Sequence, residues 1–443
     1  MPVKIGMVSL GCSKNLVDSE RMLYKFRKKG YSLVTEPGLS DVAVVNTCGF
    51  IQSAKEEAIE TILELAKLKE EGTIKKIIIT GCLSERYREE MAEQFPEVDA
   101  VVGIGNQEDI VDVIERVLAD NKVVEFDSKD RLSITGDRII STLPFFAYLK
   151  IAEGCDNCCT YCAIPEIRGR FRSAPMEDVL KEAQWLADNG VTELIVIAQD
   201  TTRYGEDLYG RSELPKLLQQ LCSIEKLKWI RVLYCYPERI TDELLNVIAN
   251  EEKIVKYLDL PIQHCNGEIL KNMNRVGDRE YLTELMAKIR SKVPDITLRT
   301  TLITGFPGET EGQFEELAEF VKEIRFDKLG CFAYSQEEGT PAAGFDGQLD
   351  EETKNHRAEI IMEQQQLISE QDNEKKLGKE LEAVVEGFDK YAECYFGRCK
   401  SDAPDIDGKA FFTSEKALEI GQYISIKVTD TLDYDLIGEV VDR

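Results

Sequence analysis

The sequence predicts an α/β protein of three domains, and three observations support this prediction. The chain has 443 residues, which is too many for one hydrophobic core. Short apolar runs alternate with amphipathic helical stretches through most of the chain, as they do in parallel sheets with helical connections. From residue 377 onward, short alternating strands follow one another without helices between them, which is typical of a small antiparallel β-barrel.

The composition of the chain restricts its class. Hydrophobic residues make up 43% of it, which indicates a globular protein. The sequence contains no apolar run of about 18 residues, and its amino terminus lacks the apolar stretch of a signal peptide. We therefore expect a cytoplasmic protein without a membrane partner. In that reducing compartment, clusters among the 13 cysteines indicate metal or redox chemistry rather than disulfides.

The charge of the chain indicates which partners it attracts. It contains 55 Lys and Arg against 82 Asp and Glu, so its formal net charge is −27. Such a field repels a phosphate backbone and favours a basic partner. Acidity of this size is equally consistent with a requirement for solubility alone.

The first predicted domain, residues 1–135, repeats a strand, a turn and an amphipathic helix. Its apolar strands are VKIGMVSLG, DVAVVNTCGF and IKKIIITGC. The helical stretch after the first strand is closed by Gly30, and the one after the second strand is closed by Gly72. Strands that alternate with helices in this way form a parallel, doubly wound sheet.

Each of these three strands ends beside a cysteine, and the three are Cys12, Cys48 and Cys82. The carboxyl ends of parallel strands meet at one edge of a sheet, so we expect the three thiols to converge there. Three thiolates hold a metal or a cluster with one open coordination position. The alternative is that each cysteine packs as a small hydrophobic side chain.

The second predicted domain, residues 141–376, follows a polar linker that begins at Ser133. It contains six further strands, FAYLKIAEG, TELIVIAQD, WIRVLYCYP, KYLDLPIQH, ITLRTTLITG and KLGCFAYSQ. Helical stretches separate them, which predicts a complete or open βα barrel with its chemistry on the loops after the strands. A long charged helix leads to the third predicted domain, residues 377–443, which is acidic and therefore a poor clamp for a polyanion.

The loop after the first strand of the second domain contains Cys155, Cys158, Cys159 and Cys162. Either Cys158 or Cys159 completes a trio with the outer two, so two sets of three ligands remain open. A structural zinc site uses four N or S ligands in two pairs, and with only two histidines the chain offers no distant second pair. The loop lies at the predicted barrel mouth, so we expect a catalytic iron–sulfur cluster with one open iron.

The spacing Cys155-x3-Cys159-x2-Cys162, with Tyr161 before the last cysteine, resembles the signature of radical S-adenosylmethionine (SAM) enzymes. The resemblance implies that these three cysteines bind a 4Fe–4S cluster, whose open iron binds the amino acid end of SAM. It implies no ligand role for Cys158, which is expected to be a bystander thiol.

Nine motifs spread over nearly the whole chain extend this resemblance. They are SLGCSKNLVDSE, NTCGFI, GCLSERY, EGCDNCCTYCAIPEIRGRFRS, AQDTTRYG, LDLPIQH, TGFPGET, GRCKSDAPDIDG and DYDLIGEVV. Together they are similar to the methylthiotransferase family, and in particular to its branch that modifies an aspartate of ribosomal protein S-twelve. The resemblance implies a second 4Fe–4S cluster on Cys12, Cys48 and Cys82. It also implies that the second domain is a radical SAM domain built as a partial TIM-like barrel, and that the third is a TRAM domain.

The same resemblance implies the reaction. A methylthio group replaces a hydrogen on the β-carbon of an aspartate in ribosomal protein S-twelve, with SAM as both radical source and methyl donor. The implied partners are this basic ribosomal protein and an electron-donating reductant. A hydrogen on such a carbon is not acidic enough for a protein base near neutral pH, so a radical is needed. Cofactors supply that chemistry, while the protein positions them.

Further side chains and glycines near strand ends are candidate contacts for SAM or for the substrate. His264 is alternatively a structural hydrogen-bonding residue, and the glycines of TGFPGET alternatively form a tight turn between a strand and a helix. The candidates are Tyr161, Gln199, Asp200, Gln263, His264, Gly305, Phe306 and Gly308.

Two other functions fit parts of this pattern. The sister branch of the family methylthiolates an adenosine of tRNA with the same clusters. The net charge and the acidic third domain are arguments against it, so tRNA is not the expected partner. The other function is that of a zinc-stabilised binding protein whose C-terminal barrel binds the partner, which predicts a colourless protein after anaerobic purification.

Overall fold

Six parallel strands form the first sheet of the computed structural model, which describes residues 2–441. Residue 1 of the first predicted domain and residues 442 and 443 of the third lie outside the described residues. The strands are β1 (Lys4–Ser9), β2 (Ser32–Val34), β3 (Val42–Thr47), β4 (Lys76–Gly81), β5 (Ala100–Val102) and β6 (Val123–Glu125). Their order in the sheet is β2-β1-β3-β4-β5-β6. The helices between them are α1 (Ser13–Lys29), α2 (Gln52–Glu70), α3 (Cys82–Gln94) and α4 (Ile110–Leu118).

Local chemistry explains the predicted helix and strand limits in this domain. The central strand β3 is buried along its whole length, as expected for a parallel strand with helices on both faces. The prediction that Gly30 ends the first helix is confirmed, since this residue has φ 96°, a left-handed conformation that glycine adopts without strain. Basic residues in the last turn of α1 also favour this helix end, because they face the negative end of the helix dipole.

The second domain contains another sheet of six parallel strands, with a small two-stranded sheet beside it. The strands of the domain are β7 (Phe146–Lys150), β8 (Ala152–Glu153), β9 (Arg172–Ser173), β10 (Glu193–Ile197), β11 (Trp229–Val232), β12 (Ile254–Asp259), β13 (Thr297–Thr304) and β14 (Lys328–Ala333). The large sheet has the order β14-β13-β12-β11-β10-β7, and β8 pairs with β9. The sheet is open, with β14 and β7 at its edges, so the second domain is a partial βα barrel.

Nine helices accompany these strands within the described part of the chain. They are α5 (Ile164–Arg168), α6 (Met176–Asp188), α7 (Glu206–Tyr209), α8 (Leu214–Cys222), α9 (Asp242–Asn250), α10 (Gly267–Asn272), α11 (Arg279–Lys292), α12 (Glu311–Ile324) and the long charged α13 (Glu351–Glu374). The largest hydrophobic core of the molecule lies between the helices and the outer face of the sheet. Within residues 2–441, no helix combines the length and the apolar composition that crossing a bilayer requires.

Five strands form the closed C-terminal barrel, and they are β15 (Glu380–Asp389), β16 (Cys394–Cys399), β17 (Ala410–Thr413), β18 (Tyr423–Thr431) and β19 (Leu436–Val440). The order is β15-β16-β17-β19-β18. The barrel differs from the fully antiparallel prediction at one pair, because β17 and β19 are parallel. The cause is topological, since β19 pairs with its hairpin partner β18 on one side and closes the barrel on β17 with the other.

The C-terminal barrel packs against the amino ends of the strands of the open sheet. Glu193, the first residue of β10, accepts a hydrogen bond of 2.7 Å from Arg398 of the barrel. Trp229, the first residue of β11, meets the ring of Tyr423 edge to face, with 4.9 Å between the ring centroids. The carboxyl ends of the strands, where the cysteine loop lies, are therefore left for contacts with the first domain.

The stretch predicted to be a linker, residues 133–144, is held by buried contacts. Arg138 lies within it and is buried, with Nη1 donating to Glu20 at 2.7 Å and Nη2 donating to the carbonyl oxygen of Tyr148 at 2.6 Å. The segment thus fastens α1 of the first domain to β7 of the second. The predicted domain limits at residues 135, 141 and 377 stay predictions.

Candidate functional site

The three strand-end cysteines of the first domain, which we call the sheet trio (Cys12, Cys48 and Cys82), come together at the carboxyl edge of the first sheet. Cys12 directly precedes α1, Cys48 follows β3, and Cys82 begins α3 directly after β4. Glycines allow the segments to approach one another. A side chain at Gly11 would put its Cβ 2.7 Å from Cys48 Sγ, and one at Gly49 would put its Cβ 2.7 Å from Leu83 Cα. The sequence prediction that these three strand ends converge is thus in agreement with the structure.

Burial and charge define the chemistry of the sheet trio. Burial raises the pKa of the Cys48 thiol, and the neighbouring Cys12 thiol raises this pKa further. Burial also raises the pKa of Cys82 to about 12. The guanidinium of Arg168 lowers this pKa, whereas the thiols of Cys48 and Cys12 raise it further. Cys12 itself is exposed. The trio therefore has a closed inner side and an open outer side, as a site that admits a further ligand requires.

The second group, which we call the loop trio (Cys155, Cys159 and Cys162), lies on the loop between β8 and α5. Burial raises the pKa of Cys155 to about 11 and that of Cys162 well above its usual range, and the neighbouring Cys159 contributes to both increases. Cys158, by contrast, is exposed, and its backbone adopts φ 51°. Of the two sets of three ligands left open by the spacing, the structure therefore favours the one that contains Cys159.

Polar contacts hold the loop trio in place from several sides. The carbonyl oxygen of Cys158 accepts a hydrogen bond from Asn274 Nδ2 at 3.0 Å. Tyr236 Oη lies 3.7 Å from Cys159 Sγ, and the guanidinium of Arg275 lies 4.2 Å from the centroid of the Tyr236 ring. Sequence reasoning missed Asn274, Tyr236 and Arg275, because only the folded barrel brings them to the loop.

Both trios fit a cluster that is bound through thiolates. Backbone N–H groups donate to three of the thiols, with Phe50 donating to Cys48, Asn157 to Cys155 and Ile164 to Cys162. Such donors stabilise thiolates around iron–sulfur clusters and tune their potentials. Within residues 2–441, no group of three or more His, Cys, Asp or Glu side chains has the arrangement needed to bind a single metal ion. A 4Fe–4S cluster binds each thiolate through a different iron, so its three cysteines do not need to be as close together as the ligands of one metal ion.

The short helix α5 separates the two trios. Cys162 of the loop trio precedes α5 by one residue, Ala163. Cys82 of the sheet trio packs against Ala163 and Ile167. A five-residue helix is about 7.5 Å long, so the two candidate cofactor sites are neighbours.

Arg168, the last residue of α5, connects the sheet trio to a buried network of charges. Its Nε donates to Cys82 Sγ at 3.3 Å, and its Nη1 donates to Asp18 Oδ2 at 2.6 Å. Lys150 pairs with Asp18 and, at 2.8 Å, with Glu153. The network is buried throughout and joins α1 of the first domain to the cysteine loop of the second. One hint of this network is visible in the sequence, since Arg168 belongs to the cysteine-rich motif.

Replacing Arg168 with methionine is expected to destabilise the protein by about 3–5 kcal/mol, because two buried carboxylates lose one of their cations. Urea titration of the apo-protein measures this loss. Arg170→Met is the matched control, since the side chain of Arg170 is 88% exposed. The control is expected to change the free energy of unfolding by less than about 0.5 kcal/mol. Equal effects of the two substitutions would contradict the structural role of Arg168.

Glu153 gives the network a pH dependence. Burial by itself raises the pKa of its carboxyl, but Lys150 and Arg168 hold this pKa well below its usual range. A depressed pKa contributes stability above about pH 4.3, the ordinary Glu value, and the contribution is lost as the pH falls toward the folded-state pKa. Glu153→Gln should therefore lower the free energy of unfolding at neutral pH. Below about pH 4, the free energies of unfolding of the variant and the wild type should become more similar. Urea titrations at several pH values measure this effect. If the free energies of unfolding of the variant and the wild type differed by the same amount at about pH 7 and below about pH 4, Glu153 would not be the source of the pH dependence.

Two of the remaining predicted residues lie beside the loop trio. Gln199 donates from Nε2 to Glu153 at 2.8 Å, and its buried Oε1 lacks a hydrogen-bond partner within residues 2–441. This unsatisfied acceptor is available to a bound molecule. Asp200 accepts a hydrogen bond of 2.8 Å from Asn157 Nδ2, so it holds the cysteine loop. Burial raises the pKa of Asp200.

The other predicted contacts have evident structural partners. His264 is fully buried, and its Nδ1 accepts a hydrogen bond of 2.9 Å from the Asn266 N–H. This contact favours a structural hydrogen-bonding role for His264 over a contact with SAM or the substrate. A Cβ at Gly305 would lie 2.2 Å from Lys354 Cγ, and the Gly308 N–H donates to the Gly347 carbonyl at 2.9 Å. These contacts favour the tight-turn alternative for the glycines.

The last three predicted contacts are buried or nearly buried. The rings of Phe306 and Tyr334 lie 5.5 Å apart within one hydrophobic cluster, against which Tyr161 also packs. Gln263 is buried with φ 70° and pairs with β13 through backbone hydrogen bonds. A role of these residues, or of Gln199 and Asp200, in binding SAM stays a prediction.

Three family models match the chain. The model of the Uncharacterized protein family UPF0004 matches residues 4–103, the Radical SAM superfamily model matches residues 149–321, and the TRAM domain model matches residues 377–441. The three matches follow the order of the two parallel sheets and the closed barrel. The radical SAM and TRAM assignments expected from the motifs are thereby confirmed.

Relatives are similar to almost the whole chain. Three of them bear the name ribosomal protein uS12 methylthiotransferase RimO. The protein of Thermoanaerobacter sp. (strain X514) is 48% identical over 98% of this chain and 99% of its own length. The protein of Clostridioides difficile (strain 630) is 48% identical over 99% of both chains. The protein of Acetivibrio thermocellus is 47% identical over 100% of this chain and 99% of its own.

Solved structures share the fold. The radical SAM methyltransferase TsrM from Kitasatospora setae, with cobalamin and a [4Fe-4S] cluster bound, matches 77% of each chain with a TM-score of 0.55 at 12% identity. The cobalamin-dependent SAM radical enzyme OxsB matches 82% of this chain and 56% of its own with a TM-score of 0.50 at 13% identity. At these identities the likeness concerns the fold alone.

Proposed function

Because the chain belongs to the family of ribosomal protein uS12 methylthiotransferases, we propose that it replaces one hydrogen on the β-carbon of an aspartate in uS12 with a methylthio group. The loop trio would hold one 4Fe–4S cluster and the sheet trio a second. When bound, these clusters and SAM supply the radical, the methyl group and the sulfur.

The observation that carries this proposal is the placement of the two trios on either side of α5. A reaction that needs a radical centre and a sulfur donor at one carbon requires two cofactor sites within reach of one substrate atom. Cys82 contacts the helix that begins directly after the loop trio, which supports such a shared site.

The other residues of the site position these groups and control charge. Arg168 places a buried positive charge against Cys82, which favours the thiolate that a cluster needs. Glu153 and Lys150 hold this guanidinium and the loop in one rigid network. The hydrophobic cluster around Phe306 covers the loop trio from the side of Tyr161 and excludes water there.

The proposal includes an electron donor and a location. Reductive cleavage of SAM consumes electrons, so a reductant must reach the protein. We infer that the enzyme acts in the cytoplasm, where thiols stay reduced and ribosomal proteins are assembled. The formal net charge of −27 supports a basic ribosomal protein as acceptor rather than tRNA.

The experiment is an anaerobic activity assay. The purified protein is reconstituted with iron and sulfide, and both are then quantified. It is incubated with SAM, a reductant and either unmodified small ribosomal subunits or tRNA. Mass spectrometry should detect one methylthio group in place of one hydrogen on uS12, together with 5′-deoxyadenosine.

Two results would overturn the proposal. A methylthiolated tRNA beside an unchanged uS12 would assign the chain to the sister activity. A colourless protein that holds zinc and cleaves no SAM would favour the binding-protein alternative.

A further inference from the structure

One buried lysine of this protein lacks an anionic partner. Lys14, in the first turn of α1 and two residues after Cys12, is only 6% exposed. Its Nζ lies 2.9 Å from the centroid of the Tyr234 ring. Within residues 2–441, this ammonium has no carboxylate, carbonyl or hydroxyl oxygen as a hydrogen-bond or ion-pair partner.

The other buried lysines behave differently. Lys55 pairs with Glu337, Lys150 with Asp18 and Glu153, and Lys354 with Glu351. Lys14 is largely buried without such an anion, which is unfavourable, and its Nζ is not fully enclosed and can therefore contact a ligand. Lys14 is thus the exception that requires an explanation.

Two carboxylates that neighbour Lys14 or Tyr234 in the fold are already engaged. Asp18, one turn further along α1, is held by Lys150 and Arg168. Asp259 accepts the N–H of Tyr234 at 3.0 Å and pairs with Arg299 at 3.2 Å. Neither Asp18 nor Asp259 pairs with Lys14, so an anion that binds its ammonium would come from outside the chain.

The position of Lys14 indicates which anion this is. Lys14 follows Cys12 of the sheet trio by two residues, and Tyr234 precedes by two residues Tyr236, whose Oη lies 3.7 Å from Cys159 Sγ of the loop trio. The contact between Lys14 and Tyr234 therefore joins a segment next to the sheet trio to a segment next to the loop trio. The Tyr234 ring covers one side of the ammonium, and its remaining N–H donors are free to bind a ligand.

We propose that Lys14 binds the side-chain carboxylate of the acceptor aspartate and thereby selects aspartate at the modified position. This inference rests on the proposed function. The β-carbon that reacts is bonded directly to the carboxylate carbon, so a cation that holds the carboxylate also fixes the position of the reacting carbon. Lys14 acts here as a specificity-determining contact, not as an acid or a base.

The test is a double-mutant cycle on binding. Holoenzyme with SAM but without reductant is titrated with a fluorescent uS12 peptide that contains the acceptor aspartate, and with the same peptide carrying Asp→Asn. The wild type should bind the aspartate peptide about tenfold to 100-fold more tightly than the asparagine peptide, since a hydrogen bond to a charged group is lost. Lys14→Met should remove this preference, and Lys14→Arg should restore part of it.

A control and a second readout separate this role from others. Lys25→Met removes a lysine of the same helix that pairs with Glu108 at 2.8 Å, and it should keep the wild-type preference. SAM also has a carboxylate, so 5′-deoxyadenosine formation is measured with reductant and without acceptor. It should be equal in the wild type and Lys14→Met. Loss of this cleavage in Lys14→Met would assign Lys14 to SAM and overturn the proposal.

Other outcomes are equally decisive. A Lys14→Met protein that holds its iron and still prefers the aspartate peptide would overturn the inference while leaving the enzyme activity intact. If the Lys14→Met protein loses iron, Lys14→Gln is used in its place in the double-mutant cycle. A wild-type protein that neither binds nor modifies uS12 would instead contradict the proposed function.

Discussion

Replacing Cys12, Cys48 and Cys82 together with alanine should yield a protein that cleaves SAM but transfers no methylthio group. The sheet trio is the proposed binding site of one cluster, so about half of the iron and sulfide should be lost. The loop trio is unchanged, and 5′-deoxyadenosine should still form in the presence of a reductant. The rate of uS12 methylthiolation should fall by at least about 10³-fold, because the proposed reaction requires both clusters and the loss of one prevents the transfer.

Iron and sulfide analysis, product analysis and mass spectrometry of uS12 measure these effects separately. Cys158→Ala is the control, since Cys158 is an exposed thiol on the same protein that belongs to neither trio. The control should retain all the iron and the full activity. A triple variant with the iron content of the wild type would rule out a cluster on the sheet trio.

Replacing Cys155, Cys159 and Cys162 with alanine should have the complementary effect. The loop trio is the proposed site of SAM cleavage, so this variant should form no 5′-deoxyadenosine and transfer no methylthio group. It should keep the half of the iron that the sheet trio binds, because α5 and the first sheet do not depend on these thiols for their packing. Single substitutions in the loop trio should be nearly as severe as the triple one.

Electron paramagnetic resonance of the two triple variants provides the cross-check. Each reduced variant should show the signal of one cluster, and the two signals together should account for the wild-type spectrum. SAM should perturb the signal of the variant that retains the loop trio. Perturbation only in the variant that retains the sheet trio would reverse the two assignments.

Sequence patterns predicted the long elements of this fold but not the short ones. The three strands that lead to the sheet trio each carry an apolar run, and the structure contains them as β1, β3 and β4. The three-residue strands β2, β5 and β6 were not predicted, because three residues are too few to show a period. The parallel pairing of β17 with β19 depends on how the barrel closes, which local patterns do not encode.

The candidate site shows the same division. Cysteine spacing identified both trios, since a cluster requires thiolates that are close along the chain or at neighbouring strand ends. Both Lys14 and Arg168 lie in quoted motifs, but their roles were not predicted, because each acts through partners on another domain. Arg168 and Asp18 are 150 positions apart in sequence, and no periodicity links residues at such a distance. Their pairing follows from tertiary packing alone.

The ion pairs of Asp18 with Lys150 and Arg168 have a consequence for how the enzyme meets its acceptor. Moving the first domain away from the second would break these ion pairs and expose the buried contacts of Cys82 with Ala163 and Ile167 to water, so we expect the two domains to keep their relative placement. We therefore expect the region between the two trios to be formed before the acceptor binds, without a closing movement of the domains. Under the proposed function, the part of uS12 that carries the acceptor aspartate would therefore be the partner that becomes ordered on binding and bears the entropic cost.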